Sequence, residues 1–152
     1  MALFGGCRCG TCRYSLDYDQ IPVVYACHCL DCQKTTGGGF ALQAAVSSSR
    51  FHIDGDLIEW RRQSADSGTH IPGFRQRSCA NCQTRMFTTF EGFEEMALLS
   101  AGTLDRSSEV IPSAHLWAKR RQPWIALPEG VEIYEEGFPG DRAMAFYGPN
   151  LV

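Results

Sequence analysis

The residues with the clearest capacity for chemistry are eight cysteines in three clusters. Cys7, Cys9 and Cys12 form the first, Cys27, Cys29 and Cys32 the second, and Cys79 and Cys82 the third. The first two repeat one spacing, C-x-C-x-x-C. A C-x-x-C turn can present two sulfurs to one zinc ion at about 2.3 Å, and two such elements complete a tetrahedron. C-x-C is less automatic, because residues i and i+2 of a regular strand share a face but stand too far apart to chelate. The backbone has to bend there. Gly5, Gly6 and Gly10 surround the first pair and supply that freedom.

Other uses of so many thiols fit less well. The amino-terminal residues lack a basic start and a sustained apolar stretch, so the expected compartment is the cytoplasm, where thiols stay reduced. A disulfide across C-x-C would close a small strained ring. A thioredoxin-like pair expects C-x-x-C to open a helix within a βαβ unit, a pattern this sequence does not offer. Zinc leads over iron because nothing here demands redox chemistry.

A structural zinc site takes four ligands, and a catalytic one takes three and keeps a position for water or substrate. Eight cysteines therefore make two closed sites, or one closed and one open site with a spare thiol. Spacing alone leaves the pairing open. Cys12 shares its strand face with Tyr14 and Leu16, which favours a core position and leaves seven ligands to divide as four plus three. Cys27, Cys29 and Cys32 are then the natural triad, presented by one loop. Cys7 and Cys9 with Cys79 and Cys82 would make the closed site and clip the amino terminus to a distant turn. Thiolates must lose their protons to bind, so that metal energy becomes folding energy.

The elements that must position these clusters read as short strands. Alternation from Thr11 to Leu16 predicts one, and Pro22–Ala26 leads another into the second cluster. Phe40–Val46, Thr84–Phe90, Met96–Ala101 and Val131–Tyr134 read similarly, with Glu91-Gly92 as a turn. Phe51–Trp60 is broken by Asp54-Gly55-Asp56. Only Cys29–Thr36 could make a helical turn, ended by Gly37-Gly38-Gly39. Gln63–Pro72 reads as an exposed loop, and the stretch after Gly137 as a surface wrap. The expectation is an all-β single domain spanning residues 1–152.

The chain carries 152 residues and a net charge of −3, so it can bury a core and lacks the basic excess of a nucleic-acid binder. Lys119-Arg120-Arg121 reads as a solvated edge. No apolar run approaches the ~20 residues that cross a bilayer, so no membrane partner is expected.

The pattern resembles the glutathione-dependent formaldehyde-activating enzymes, which share a domain with centromere protein V. The resemblance rests on Gly6, Cys7, Cys9 and Gly10 with Tyr14, then Cys27-His28-Cys29-x-x-Cys32-Gln33-Lys34 with Gly37 and Phe40. It continues through Cys79-x-x-Cys82, Pro112-x-x-His115-Leu116-Trp117 and Pro123-Trp124, in family order over nearly the whole chain. It implies a β-tent of strands pinned by zinc, with Cys7, Cys9, Cys79 and Cys82 structural and Cys27, Cys29 and Cys32 at a reactive, catalytic zinc. It implies two zinc sites per chain, glutathione and formaldehyde as partners, and a carbon–sulfur lyase-type activity around S-hydroxymethylglutathione. Two departures stand out. Gln83 occupies a position where the family usually has glycine, which predicts a differently shaped knuckle. Cys12 replaces a small or aliphatic residue, in keeping with a core role.

An open zinc with three thiolates carries a net charge near −1, a modest Lewis acid that could hold a thiolate beside a carbonyl. His28, between two ligands, reads as a packing residue before a general base, and His115 as a hydrogen-bonded structural histidine. Trp60, Trp117 and Trp124 read as core before pocket walls. A non-catalytic zinc module, with both sites serving stability or partner binding, is the alternative to the enzyme.

Overall fold

A computed structural model describes residues 1–62 and 73–151. The strands are β1 (Leu3–Gly6), β2 (Arg13–Leu16), β3 (Val24–Cys27), β4 (Ala41–Ser47), β5 (Phe51–Asp54), β6 (Leu57–Arg61), β7 (Phe74–Cys79), β8 (Arg85–Phe90), β9 (Phe93–Ser100), β10 (Pro112–Leu116) and β11 (Glu132–Ile133). Two helices join them, α1 (Leu30–Thr36) and α2 (Gly140–Leu151). The all-β expectation holds. Strands β1, β2 and β5 form a small sheet, and the others form one eight-stranded sheet in the order β11-β10-β3-β4-β9-β8-β7-β6. β10 runs parallel to β3 and β11, and every other pairing is antiparallel.

Successive strand residues point to opposite faces. β9 uses that alternation to deal Ala97 and Leu99 into one core and Met96 and Leu98 into another. β4 divides Val46 from Ala45 in the same way. The first core takes Leu3, Tyr14, Leu16 and Met86, so it lies where the small sheet covers the large one. The second takes Tyr25, Phe90, Leu116 and Phe146 and lies under α2. Each core receives its own cysteines. Cys7 and Cys79 join the first, and Cys27, Cys29 and Cys32 join the second.

The expected strands are all present, with ends shifted by a few residues. Cys12, Tyr14 and Leu16 are buried while Arg13 is exposed, as the alternation predicts. The break at Asp54-Gly55-Asp56 does more than turn the chain, because it hands it from the small sheet at β5 to the large one at β6. Gly55 has φ +117°, and a Cβ there would sit 2.7 Å from the Thr11 carbonyl oxygen. β1, β7 and β10 are additional strands. The stretch after Gly137 differs from a surface wrap. It forms α2, which packs on β4 and buries Phe146 and Asn150. The Asn150 amide pairs with both backbone groups of Val23, accepting from N–H at 3.0 Å and donating to C=O at 3.2 Å. The expected loop Gln63–Pro72 lies outside the described residues.

Candidate metal centres

At the first cluster, the chain leaves β1 and closes a tight loop. Cys7 N–H donates to the Cys12 carbonyl at 3.0 Å, and Gly10, at φ +80°, donates to the Cys7 carbonyl at 3.1 Å. This is the bend that C-x-C requires. It brings the Cys7 and Cys9 sulfurs to 3.4 Å, with Cys79 Sγ 3.9 Å from Cys9 Sγ. The sulfurs of Cys7, Cys9, Cys79 and Cys82 all lie within 4.8 Å of one another. A tetrahedron with ~2.3 Å zinc–sulfur bonds has edges of about 3.8 Å, so this donor set fits a closed zinc site. Cys12 stands apart. It is fully buried, and its Sγ donates to the Asp56 carbonyl at 3.4 Å.

The surroundings of the four sulfurs are donors. Cys12 N–H reaches Cys7 Sγ at 3.2 Å, and the Asn81 side-chain N–H reaches Cys9 Sγ at 3.3 Å. The Thr84 hydroxyl, 3.1 Å from Cys82 Sγ, is the main cause that holds the Cys82 thiol down at about 5. Thr11 lies 3.3 Å from Cys79 Sγ and lowers that thiol too. Such contacts favour thiolates, the form that binds metal. Thr11 and Thr84 were not singled out by the sequence, because a lone threonine near a cysteine carries no spacing signal. The knuckle turns on Gln83, whose φ is +60° and whose N–H donates to the Cys79 carbonyl at 2.9 Å. A non-glycine residue therefore sits in the left-handed region at the position where the resemblance marks a departure.

At the second cluster, β3 ends at Cys27, and His28 N–H continues its pairing by donating to the Leu116 carbonyl at 2.9 Å. Cys29 caps α1, its sulfur accepting from Cys32 N–H at 3.4 Å, and Gly37 ends the helix at φ +67°. The predicted helical turn thus serves to place Cys32 back over Cys27 and Cys29. Their three sulfurs lie within 4.8 Å of one another, and all three residues are buried. Hydrogen bonds from Cys27 and Cys32 hold the Cys29 thiol down at about 2. At Cys32, Cys27 favours the thiolate, but the Cys29 sulfur and burial prevail and push the thiol up to about 12. Their mutual contacts thus favour the thiolate at Cys29 and the thiol at Cys27 and Cys32. Three mutually close thiols of this kind fit a metal ion that replaces those protons.

Gln43 donates to Cys32 Sγ at 3.5 Å, and the Tyr25 hydroxyl donates to the Gln43 carbonyl oxygen at 2.7 Å, which orients the amide. Gln33 staples the loop from the other side, donating to the carbonyls of His28 at 2.8 Å and Arg120 at 2.9 Å. His28 is fully buried against Phe40 and His115, in line with the packing role expected of it, and His115 is hydrogen-bonded to it.

The triad lines a cavity of about 880 Å³ whose other walls are mainly aromatic and aliphatic. Trp60 and Trp117 line this cavity, Trp117 also packs against the second core, and Trp124 is 75% exposed, so a core role holds only in part, at Trp117. Lys119 pairs with Glu136, which bears out a solvated basic edge at that residue. Among the described residues, no helix is long and apolar enough to cross a membrane.

Residues 2–120 match the family model of the glutathione-dependent formaldehyde-activating enzymes. The chain belongs to that family. A curated Halomonas elongata protein named "Putative glutathione-dependent formaldehyde-activating enzyme" is 24% identical over 129 residues, covering 84% of this chain and 82% of that one. A Rhodobacter sphaeroides protein of known crystal structure shares the fold at a TM-score of 0.52 and 14% identity, covering 72% of this chain and 97% of the other. The matched segment of this family member contains all eight cysteines and ends before α2.

Proposed function

We propose that the protein is a zinc-dependent, carbon–sulfur lyase-type enzyme that makes and breaks the adduct of glutathione with an aldehyde, formaldehyde being the family's named partner. Cys7, Cys9, Cys79 and Cys82 hold a structural zinc, and Cys27, Cys29 and Cys32 hold a reactive one. The observation that carries this reading is the asymmetry of the two sulfur sets. The set of four can close a tetrahedron. The set of three supplies one ligand too few and lines a cavity large enough for a substrate.

A zinc ion held by the triad would supply a Lewis-acid position that lowers the pKa of an incoming thiol. The chain's own residues do the positioning. β3 and α1 hold the three sulfurs on rigid elements, the Gln43 amide steadies Cys32, and Gln33 locks the loop to the segment near Arg120. The apolar walls exclude water and so protect a reversible adduct from competing hydration. Addition of a thiol to formaldehyde is intrinsically easy, and holding both partners beside the triad converts the encounter into an intramolecular step.

The test is the exchange rate between free glutathione, formaldehyde and their adduct, read by two-dimensional exchange NMR with the zinc-loaded protein. Acceleration that disappears in folded Cys27→Ala, Cys29→Ala and Cys32→Ala variants supports the reading. Equal rates with and without protein would leave a non-catalytic zinc module.

A further inference from the structure

Formaldehyde offers one carbon and one oxygen. The cavity beside the triad offers about 880 Å³, walled by Phe74, Phe90, Phe93, Met96, Phe138 and Tyr147. Phe74, Phe93, Phe138 and Tyr147 are only partly buried, so this wall is not sealed core. Phe138 packs edge-on against Tyr25 and Tyr147 at centroid distances of 6.0 and 5.5 Å, which makes the wall rigid rather than collapsible.

Glutathione does not match such a wall. It carries two carboxylates and an ammonium group, and placing those against the aromatic rings, away from the Lys34, Arg62 and Arg85 cations that also line the cavity, costs their hydration without return. A second cavity of about 770 Å³ adjoins the first, and its mixed lining includes the polar side chains of Arg8, Thr36, Asn81, Thr84 and Thr103 beside Phe40 and Leu42. Thr35 and Arg85 line both. Arg85 has no carboxylate within ion-pair distance among the described residues. The cationic side chain at the boundary and the polar side chains beyond it suit a charged tripeptide. The aromatic wall is left for the other reactant.

We infer that the carbonyl substrate of this protein carries an apolar body, an alkyl chain or aryl ring of several carbons, which lies along the aromatic wall beside Cys27, Cys29 and Cys32. The inference rests on the thiol–aldehyde chemistry proposed above. The step balances without a further reactant. The thiol sulfur forms a bond to the carbonyl carbon, the carbonyl π pair becomes a lone pair on oxygen, and the thiol's proton ends on that oxygen as a hydroxyl. Nothing is oxidised or reduced, and the reverse step restores both partners.

The experiment compares glutathione with formaldehyde, propanal, butanal, pentanal and hexanal on the zinc-loaded protein, reading protein-accelerated exchange by NMR. Straight-chain alcohols from propanol to hexanol, which cannot react, are titrated in parallel by tryptophan fluorescence, since Trp60 and Trp117 line the cavity. Each methylene buried should raise kcat/KM and tighten alcohol binding about fourfold. Phe93→Ala should lower the hexanal-to-formaldehyde ratio of kcat/KM about tenfold. Acceleration of formaldehyde with no gain along the series would overturn the inference and leave the enzyme reading standing. Acceleration of no aldehyde would overturn both. Alcohol affinities that ignore chain length would overturn the inference whatever the rates, and the wild-type series decides even if the variant does not fold.

Discussion

His28 Nε2 and His115 Nδ1 lie 2.8 Å apart, in two rings stacked at a centroid distance of 5.1 Å beside the Cys27–Cys32 loop. One ring must donate and the other accept, so the contact requires at least one neutral imidazole. Their outer nitrogens, His28 Nδ1 and His115 Nε2, are buried without a hydrogen-bond partner. Burial, reinforced by His115 and Arg121 and opposed by Cys29, pushes the His28 imidazolium down to about 4, and burial lowers His115 as well. In the unfolded chain both titrate near the ordinary value of about 6.5. Between those values the unfolded chain binds more protons than the folded one. The contribution of the two histidines to stability is therefore complete above about pH 6.5 and falls as the pH drops toward about 4. Thermal midpoints measured from pH 8 to pH 4 should show that decline, and His115→Phe should flatten it.

Gln43 and Tyr25 form a relay onto the triad. Gln43→Leu should weaken zinc at the reactive site by about 10–100-fold while leaving the structural site loaded, because residues that orient metal ligands carry effects of that size. Tyr25→Phe should weaken it less, since it frees the amide without deleting it. Competition with a chromophoric chelator would resolve the weak and the tight ion. Equal weakening of both sites would contradict the relay.

Cys12 separates packing from ligation. Cys12→Ala should keep the full zinc content and cost about 1 kcal/mol, the scale of a small core truncation. Cys79→Ala should lose one zinc ion and most of the folding energy that comes with it. Elemental analysis and chemical denaturation on the same samples would check both.

Gln83 bears a left-handed backbone that glycine adopts freely. Gln83→Gly should stabilise the protein by roughly 0.5–1 kcal/mol, the relief of φ strain being partly offset by the more flexible unfolded chain. A rise of a few degrees in Tm, with zinc content unchanged, is the expected result.

The cysteine clusters were legible because each C-x-C or C-x-x-C is local. The pairing of Cys7 and Cys9 with Cys79 and Cys82 spans about seventy residues, and it came from the count of four plus three and from the resemblance. The triad comes from one loop, and the alternation of Cys12 with Tyr14 and Leu16 pointed to the thiol that stays out of both sulfur sets. What escaped the sequence depends on partners distant in the chain. β1 contains Gly5 and Gly6 and reads as loop. Gly5 is needed because a Cβ there would sit 2.2 Å from the Tyr14 hydroxyl oxygen, a constraint that exists only once β2 lies alongside. β7 reads as polar, since its arginines pair with Glu59 and Glu91 from other elements. α2 carries Gly148 and Pro149, poor helix residues, and is held by Asn150 against Val23 and by Phe146 in the second core. The aromatic cavity was invisible for the same reason, as its walls come from strands, loops and α2 together.

The most direct test of the four-plus-three division is zinc per folded chain, measured by elemental mass spectrometry after gentle purification of the wild type, Cys32→Ala and Cys79→Ala. The wild type should hold about two ions, with Cys32→Ala folded and keeping one. Cys79→Ala should lose an ion and unfold readily. A wild type free of metal with its thiols oxidised, or a Cys32→Ala variant that unfolds as badly as Cys79→Ala, would contradict the division.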